Sequence, residues 1–208
     1  MARKPSRSPT PKGHPKPAPL HCDTCHQPIG IADGVSYGSM ESGYRELCSR
    51  CFNQEVASRG GLDFQHVAFE PLQMQDASGA SHTFHFGLHL LGDRVSLDAL
   101  ELRDDTSEGY QFQIIDDAEA DLFGLMGQLV ERMRRALAQR HLEEDGGQLQ
   151  IADFVARGRI TCDLEQDGRV PVMVIDGREI TWEEFGRMLM TFEGWQFKLE
   201  IHDRSEEV

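Results

Sequence analysis

The sequences CDTC at residues 22–25 and CSRC at residues 48–51 decide how the first third of this chain folds. In each, two residues separate a pair of cysteines, which lets both thiolates bind one metal ion from a single tight turn. Two such turns complete the tetrahedron that zinc prefers, with Zn–S bonds of about 2.3 Å. We therefore predict one zinc site, with the ligands Cys22, Cys25, Cys48 and Cys51.

The residues around these pairs predict local structure. Gly34, Val35, Tyr37 and Gly38 favour a hairpin in the gap between the pairs, and residues 52–58 favour a helix that ends at two glycines. A knuckle, a hairpin and a second ligand pair that opens a helix resemble the treble-clef class of zinc fingers. The resemblance implies the same four cysteine ligands. A closed four-thiolate site leaves no position for substrate, so the expected role of zinc is structural.

Two alternatives for these residues stay open. The cysteines could form disulfides, although the absence of an apolar signal segment favours a reducing compartment, in which closely paired cysteines usually bind metal. His21 or His26 could replace one cysteine ligand, although a place beside the site or in solvent is the expected one. We expect a cytoplasmic protein.

Charge is distributed unevenly along the chain. The formal net charge is -14, but residues 1–20 contain five basic and no acidic residues, and six prolines. This segment is predicted to be a disordered basic tail. The remaining acidic body repels phosphate, so nucleic acid could bind only through residues 1–20 and the zinc module. No apolar run approaches the roughly 18 residues that span a bilayer, which predicts no membrane association.

Residues 61–145 predict an antiparallel β meander followed by one long amphipathic helix. His82 alternates with apolar residues on one strand face, and His85 and His89 lie on the other, too far apart to share a metal ion; we expect them to be solvated. Asp116 or Asp117 is the predicted N-cap of a helix that continues to about Leu142. A hinge and a domain boundary are predicted at residues 143–147.

Residues 146–208 predict a ββαβ domain, which makes the whole chain an α+β protein with an N-terminal treble-clef-like zinc finger. Thr181 and Glu184 form a capping box before the helix, and residues 195–201 alternate as a closing strand. Cys162 is expected to be a buried, inert thiol. The predicted divisions are therefore 1–20, 21–60, 61–145 and 146–208.

The C-terminal segments at residues 176–188 and 193–199 resemble the C-terminal region of a bacterial family of uncharacterised function. Proteins of that family often carry a cysteine-rich zinc module in front of this region. The resemblance covers the zinc module and residues of about 147–203, with a looser match between them. It implies an architecture and no activity.

The chain contains no phosphate-binding glycine loop, zinc-protease motif or nucleophile elbow. No catalytic or cofactor-binding residue is predicted apart from the zinc ligands. Glu193 and Trp195 could anchor a partner, although a core Trp195 beside a solvent-facing Glu193 is the favoured interpretation. The leading hypothesis is a zinc-binding adaptor with a protein partner. The alternatives are a nucleic-acid-associated regulator and an enzyme whose site is scattered along the sequence.

Overall fold

The structure, a computed structural model, describes residues 20–30, 32–103, 109–163 and 166–206. The predicted basic tail therefore lies outside the described residues, except for Leu20. The fold is mixed α+β, with three α-helices and four antiparallel sheets in the described residues. None of the described helices has the length and apolar character needed to cross a membrane.

The N-terminal module consists of a hairpin and a helix. Strands β1 (Gly34–Ser39) and β2 (Gly43–Cys48) pair in antiparallel fashion, and helix α1 (Ser49–Gly60) follows without a break. Gly61 ends the helix in the left-handed conformation at φ 65°, which a glycine adopts without steric cost. The structure confirms the hairpin between the cysteine pairs and the helix after them.

The central sheet is a four-stranded antiparallel meander. Its strands lie in the order β3 (Leu72–Gln75), β4 (Ser81–Leu91), β5 (Arg94–Glu101) and β6 (Gln111–Asp117). Helix α2 (Leu122–Leu137) covers one face of the sheet and buries an apolar stripe there. The completely or almost completely buried members of this core are Phe84, Leu88, Val95, Leu97, Ala99, Leu125, Leu129, Met133 and Leu137.

Helix α2 is shorter than predicted at both ends. Asp121 is its N-cap, and its side chain accepts a hydrogen bond from the Phe123 amide at 3.1 Å. Asp116 and Asp117 instead end β6, where they pair with β5. The helix stops before Leu142 because that residue begins the next hairpin.

The C-terminal unit begins with this hairpin, formed by β7 (Leu142–Asp145) and β8 (Gln148–Ile151). The predicted hinge is thus the end of a strand and a turn, in which Gly146 and Gly147 both have positive φ. A short 3-10 turn (Ala152–Phe154) follows. The unit continues with β9 (Gly158–Cys162), β10 (Pro171–Ile175), β11 (Arg178–Thr181) and helix α3 (Trp182–Met190).

Three expectations for the C-terminal unit are wrong. Residues 195–203 form no strand, and Trp195 is 64% exposed rather than part of a core. Cys162 is exposed, because it lies on the solvent side of β9 at the edge of the β11-β10-β9 sheet.

The capping box is confirmed, since the Glu184 amide donates to the Thr181 hydroxyl and the Glu184 side chain accepts from the Thr181 amide.

Candidate metal centre

The first cysteine pair lies in a tight knuckle. The His26 amide donates to the Cys22 carbonyl at 2.8 Å, and His26 itself adopts a left-handed conformation with φ 60°. Asp23 attaches the knuckle to β2, because its side chain accepts from the Glu46 amide and its own amide donates to the Glu46 carbonyl, both at 2.8 Å. The knuckle is therefore fixed by backbone contacts to the hairpin.

The second pair lies at the start of α1. Cys48 is the last residue of β2 and the N-cap of the helix, and Cys51 lies in its first turn. Thiolates at this end of a helix are stabilised by its positive dipole and unpaired amides. The Asp33 side chain accepts from the Ser49 amide at 3.3 Å and from the Ser49 hydroxyl, which fixes the helix start against the loop before β1.

The four sulfur atoms form a compact cluster. All of them lie within 4.8 Å of one another, and the Cys25 and Cys48 sulfurs are 3.8 Å apart. Four sulfurs bound to one zinc ion at about 2.3 Å in a tetrahedron lie about 3.8 Å apart. None of the four cysteines is in a disulfide. The cluster thus has the dimensions of a four-thiolate metal site.

Burial and backbone hydrogen bonds act in opposite directions on the pKa of Cys22 and of Cys48. Burial raises the pKa of Cys48 and of Cys51. Burial also acts to raise the pKa of Cys22, but backbone hydrogen bonds from Cys25 and Cys48 outweigh it and lower that pKa to about 6. Uncompensated thiolates in this space repel one another, and a bound cation removes that penalty. The donor set therefore suits a divalent ion that prefers sulfur.

Three of the four cysteines are buried, and Cys25 is partly exposed. Cys22, Cys48 and Cys51 are at most 9% exposed, and Leu47 and Phe52 pack with them. His21 and His26 are both exposed and do not belong to the cluster, so among the described residues the four cysteines provide its ligand atoms. The arrangement can hold a metal ion with four sulfur ligands.

Helix α1 also docks this module on the central sheet, through a residue that the sequence did not single out. Asn53 is completely buried, and its amide donates to the Leu88 carbonyl and accepts from the Leu90 amide, both at 2.8 Å. Strand β3 pairs with β4 only as far as Phe84, so Asn53 takes the place of a missing strand neighbour. A Cβ atom on Gly87 would lie 2.5 Å from the Ala32 carbonyl oxygen, so only glycine permits this approach.

A second polar cluster surrounds His82 on the other side of β4. His82 is 4% exposed, and its Nδ1 lies 2.7 Å from Glu101 Oε1 while its Nε2 lies 3.2 Å from Asp76 Oδ2. Glu101 also accepts from the Arg103 guanidinium and the Tyr110 amide. These buried charges are compensated within the protein, which is typical of a structural network.

A third polar group lies on the sheet face that α1 partly covers. His89 Nδ1 lies 3.4 Å from Asp98 Oδ2, and Phe52 packs edge-on against the His89 ring. The expectation of a solvated His89 is therefore wrong, because α1 packs over it. The same expectation is wrong for His82, which is only 4% exposed. The Ser96 hydroxyl donates to the same Asp98 oxygen at 3.0 Å and not to His89, so the histidine does not activate it as a nucleophile.

A cavity of about 330 Å³ opens beside His89 and Asp98. Arg204 lies on its rim and reaches Asp98 at 3.2 Å. His89 Nε2 is buried and has no hydrogen-bond partner among the described residues. This group was not found from the sequence because its members are far apart in the chain and match no motif.

Comparisons with known proteins match three consecutive segments of the chain. Models of three domains of unknown function match it: DUF7685 at residues 21–63, DUF7686 at 65–138 and DUF7713 at 139–206. No curated protein and no solved structure matches. The first match contains the four-cysteine cluster, the second the central sheet with α2, and the third the C-terminal unit. Three domains of unknown function thus account for nearly the whole chain outside its first twenty residues, and none of them assigns an activity.

Proposed function

We propose that the chain is a cytoplasmic protein-interaction module stabilised by one structural zinc ion. Cys22, Cys25, Cys48 and Cys51 are the ligands, in a finger of the treble-clef type. A reducing compartment suits this role, because zinc binds thiolates and not disulfides. The protein partner binds at the C-terminal unit.

The observation that carries the interaction role is the exposed apolar surface of that unit. Ten of the fifteen exposed large apolar side chains in the described residues lie between residues 154 and 201. Phe154 is 72% exposed and stacks on Trp195, with ring centroids 5.4 Å apart. Clustered aromatic side chains of this kind are enriched at protein–protein interfaces and rare on surfaces that stay in water.

Charge supports a protein partner over a nucleic acid. In the N-terminal module, Arg45 and Arg59 both pair with Glu55, at 2.7 and 2.6 Å. These guanidinium groups are already engaged with a carboxylate and so contribute little to phosphate binding. Nucleic-acid binding would then depend mainly on residues 1–20 and on Arg50, which is exposed beside the cysteine cluster.

Elemental analysis of protein purified under reducing conditions without chelator tests the metal. We expect about one zinc per chain, released together with the native signals of residues 20–61 when a strong chelator is added. Protein that is folded in this region and contains no metal would contradict a structural zinc.

Cross-linking of the tagged, full-length protein in its native host tests the interaction surface. We expect cross-links to a partner to fall on residues 154–201 and to disappear with Phe197→Ser. Met40→Ser is the matched control, because Met40 is 94% exposed but lies on the β1–β2 turn, away from this surface. Cross-links confined to residues 20–61 would contradict the assignment.

A second candidate function is the binding of a small ligand in the cavity beside His89. The unpartnered Nε2 of His89 favours it, because a ligand could satisfy that buried atom. Fragment screening by NMR on the zinc-loaded protein would show shifts at His89 and Asp98 that His89→Gln removes. Shifts elsewhere only would exclude this cavity as the site.

A further inference from the structure

The segment at residues 195–201 has the side-chain pattern of a strand but no strand beside it. Its odd-numbered residues are apolar and exposed: Phe197 is 89% exposed, Leu199 72% and Ile201 73%. Its even-numbered residues are Gln196, Lys198 and Glu200. Such alternation gives an extended segment one apolar and one polar face.

Both ends of the segment are attached to the rest of the protein. Trp195 packs against Phe154 and Phe192, with ring centroids 5.4 and 5.8 Å away. At the other end, Arg204 pairs with Asp98, and the Arg132 guanidinium donates to the Ser205 carbonyl at 2.9 and 3.0 Å. The segment is thus held at two points while its apolar side chains face solvent.

The backbone between these points has no hydrogen-bond partner among the described residues. Across the described part of the protein, the amides and carbonyls of residues 196–202 form no backbone hydrogen bond. A run of free amides and carbonyls with an apolar face is a template for pairing with another strand.

The sequence of the segment is complementary to itself. In an antiparallel pair with its two-fold axis at Leu199, Phe197 of each copy faces Ile201 of the other, so the apolar faces coincide. Lys198 of each copy then faces Glu200 of the other, which gives two opposite-charge pairs across the strands. Shifting the axis to residue 198 places lysine opposite lysine, and shifting it to residue 200 places glutamate opposite glutamate. The charges therefore select one register among these three.

We propose that residues 195–201 bind a second copy of this chain as an antiparallel strand pair with its two-fold axis at Leu199. This inference rests on the proposed interaction role of the C-terminal unit and identifies the partner as the chain itself. The contact is isologous, because the same segment of both copies forms it. Such a contact is complete with two copies and gives a dimer. The Lys198–Glu200 contact within one chain, at 2.5 Å, is replaced by two contacts between chains.

Charge reversal tests the register directly, with dimerisation measured by analytical ultracentrifugation of the full-length, zinc-loaded protein. Lys198→Glu and Glu200→Lys each place like charges opposite one another twice, and we expect each to weaken dimerisation by about tenfold. The double variant restores both pairs and should return to within about threefold of the wild type. Arg187→Glu, on the exposed side of α3, makes the same change in net charge as Lys198→Glu and should leave dimerisation unchanged.

Cysteine cross-linking gives a second measurement, in a Cys162→Ser background with zinc content monitored. Leu199→Cys should form a disulfide-linked dimer on mild oxidation, because the residue faces its own copy across the axis. Phe197→Cys and Ile201→Cys should each fail alone and cross-link when the two variants are mixed. A different pattern of cross-links would overturn the register.

The outcomes separate this inference from the proposed function. A monomer at about 200 µM overturns the strand pair, and so does a dimer that the charge reversals leave unaffected. If the protein is monomeric but a different protein still cross-links to residues 154–201, the interaction role stands and only the self-pairing is wrong. If neither a dimer nor such cross-links occur, both proposals are wrong.

Discussion

The central sheet and the C-terminal unit treat their apolar side chains in opposite ways. In the central sheet, helix α2 covers the apolar face, and nine core residues are at most 2% exposed. In the C-terminal unit, the cluster of buried residues is smaller, with five members, and Trp195, Phe197, Leu199 and Ile201 remain at least 64% exposed. The two regions have comparable alternation in sequence. Among the described residues, α2 covers the apolar face of the central sheet, whereas the apolar side chains of residues 195–201 remain exposed.

This difference shows what an alternating sequence pattern specifies and what it leaves open. It specifies which side chains share a face, and it carries no information on whether that face is covered by the same chain or by another. Single substitutions test how much each region contributes, beginning with the four-cysteine cluster of the N-terminal module.

The largest effect is expected for Cys48→Ser. Losing one of four thiolates removes most of the metal affinity, and structural zinc provides most of the folding free energy of a small module. We expect bound zinc to fall from about one to near zero per chain, with loss of native NMR signals from residues 21–58. Cys162→Ser is the control, since Cys162 is exposed and outside the cluster. Zinc retained by Cys48→Ser would show that the cysteines do not act together.

Two leucine truncations compare the regions directly. Leu129 on α2 is completely buried, and Leu129→Ala should lower the free energy of unfolding by about 2–5 kcal/mol. Leu199→Ala should change it by less than about 0.5 kcal/mol at concentrations where the protein is monomeric. Urea denaturation followed by circular dichroism measures both. A large cost for Leu199→Ala in the monomer would mean that the segment belongs to a core.

Asn53→Ala tests the contact between the N-terminal module and the central sheet. It leaves the Leu88 carbonyl and the Leu90 amide without their partner, at a cost of about 2–3 kcal/mol in unfolding free energy. Gln54→Ala removes an exposed amide from the next position and should cost less than about 0.5 kcal/mol. Equal effects of the two variants in thermal and urea denaturation would show that the Asn53 hydrogen bonds to Leu88 and Leu90 do not stabilise the protein.

Asp76→Asn should have a smaller, pH-dependent effect. Burial acts to raise the pKa of Asp76, but hydrogen bonds from Ser78 and His82 outweigh it and lower the pKa to about 2. A lowered carboxyl pKa stabilises the fold above about pH 4, by about 2 kcal/mol here, and this contribution is lost as the pH falls towards 2. The difference in unfolding free energy between wild type and variant should therefore shrink between pH 6 and pH 3. A constant difference would contradict the ionised pairing.

The sequence predicted the metal cluster well because its signal is local. Two residues between cysteines suffice to place two ligands on one ion, and Gly61 marks the helix end nearby. Gly34 and Gly38, which were expected at turns, lie within β1 instead. The meander was also predictable from period-two alternation. Its covering helix was placed with less precision, because Asp116, Asp117 and Asp121 are all good N-caps. Only the pairing of β6 with β5 through Asp117 decides among them.

The rest depends on contacts between distant residues. Asn53 bonds a strand 35 and 37 residues away, and nothing in its neighbourhood distinguishes it from a solvent-facing helical amide. Cys162 has an apolar neighbourhood in sequence but lies at a sheet edge. The segment after Gly194 has a strand pattern, but whether a neighbouring strand exists is a property of the whole fold and not of the segment.

If the cluster binds zinc, as we propose, the hydrogen bonds of Asn53 to β4 make the zinc affinity a property of the whole molecule. The helix that holds Cys51 is hydrogen-bonded to β4 through Asn53. The free energy of docking on the sheet therefore also stabilises the metal-bound form of the module. By thermodynamic reciprocity, we expect the intact chain to bind zinc more tightly than a peptide of residues 20–63 does, by the same factor by which zinc strengthens docking on the sheet. The zinc content of a destabilised variant thus reports on a sheet that contains no ligand.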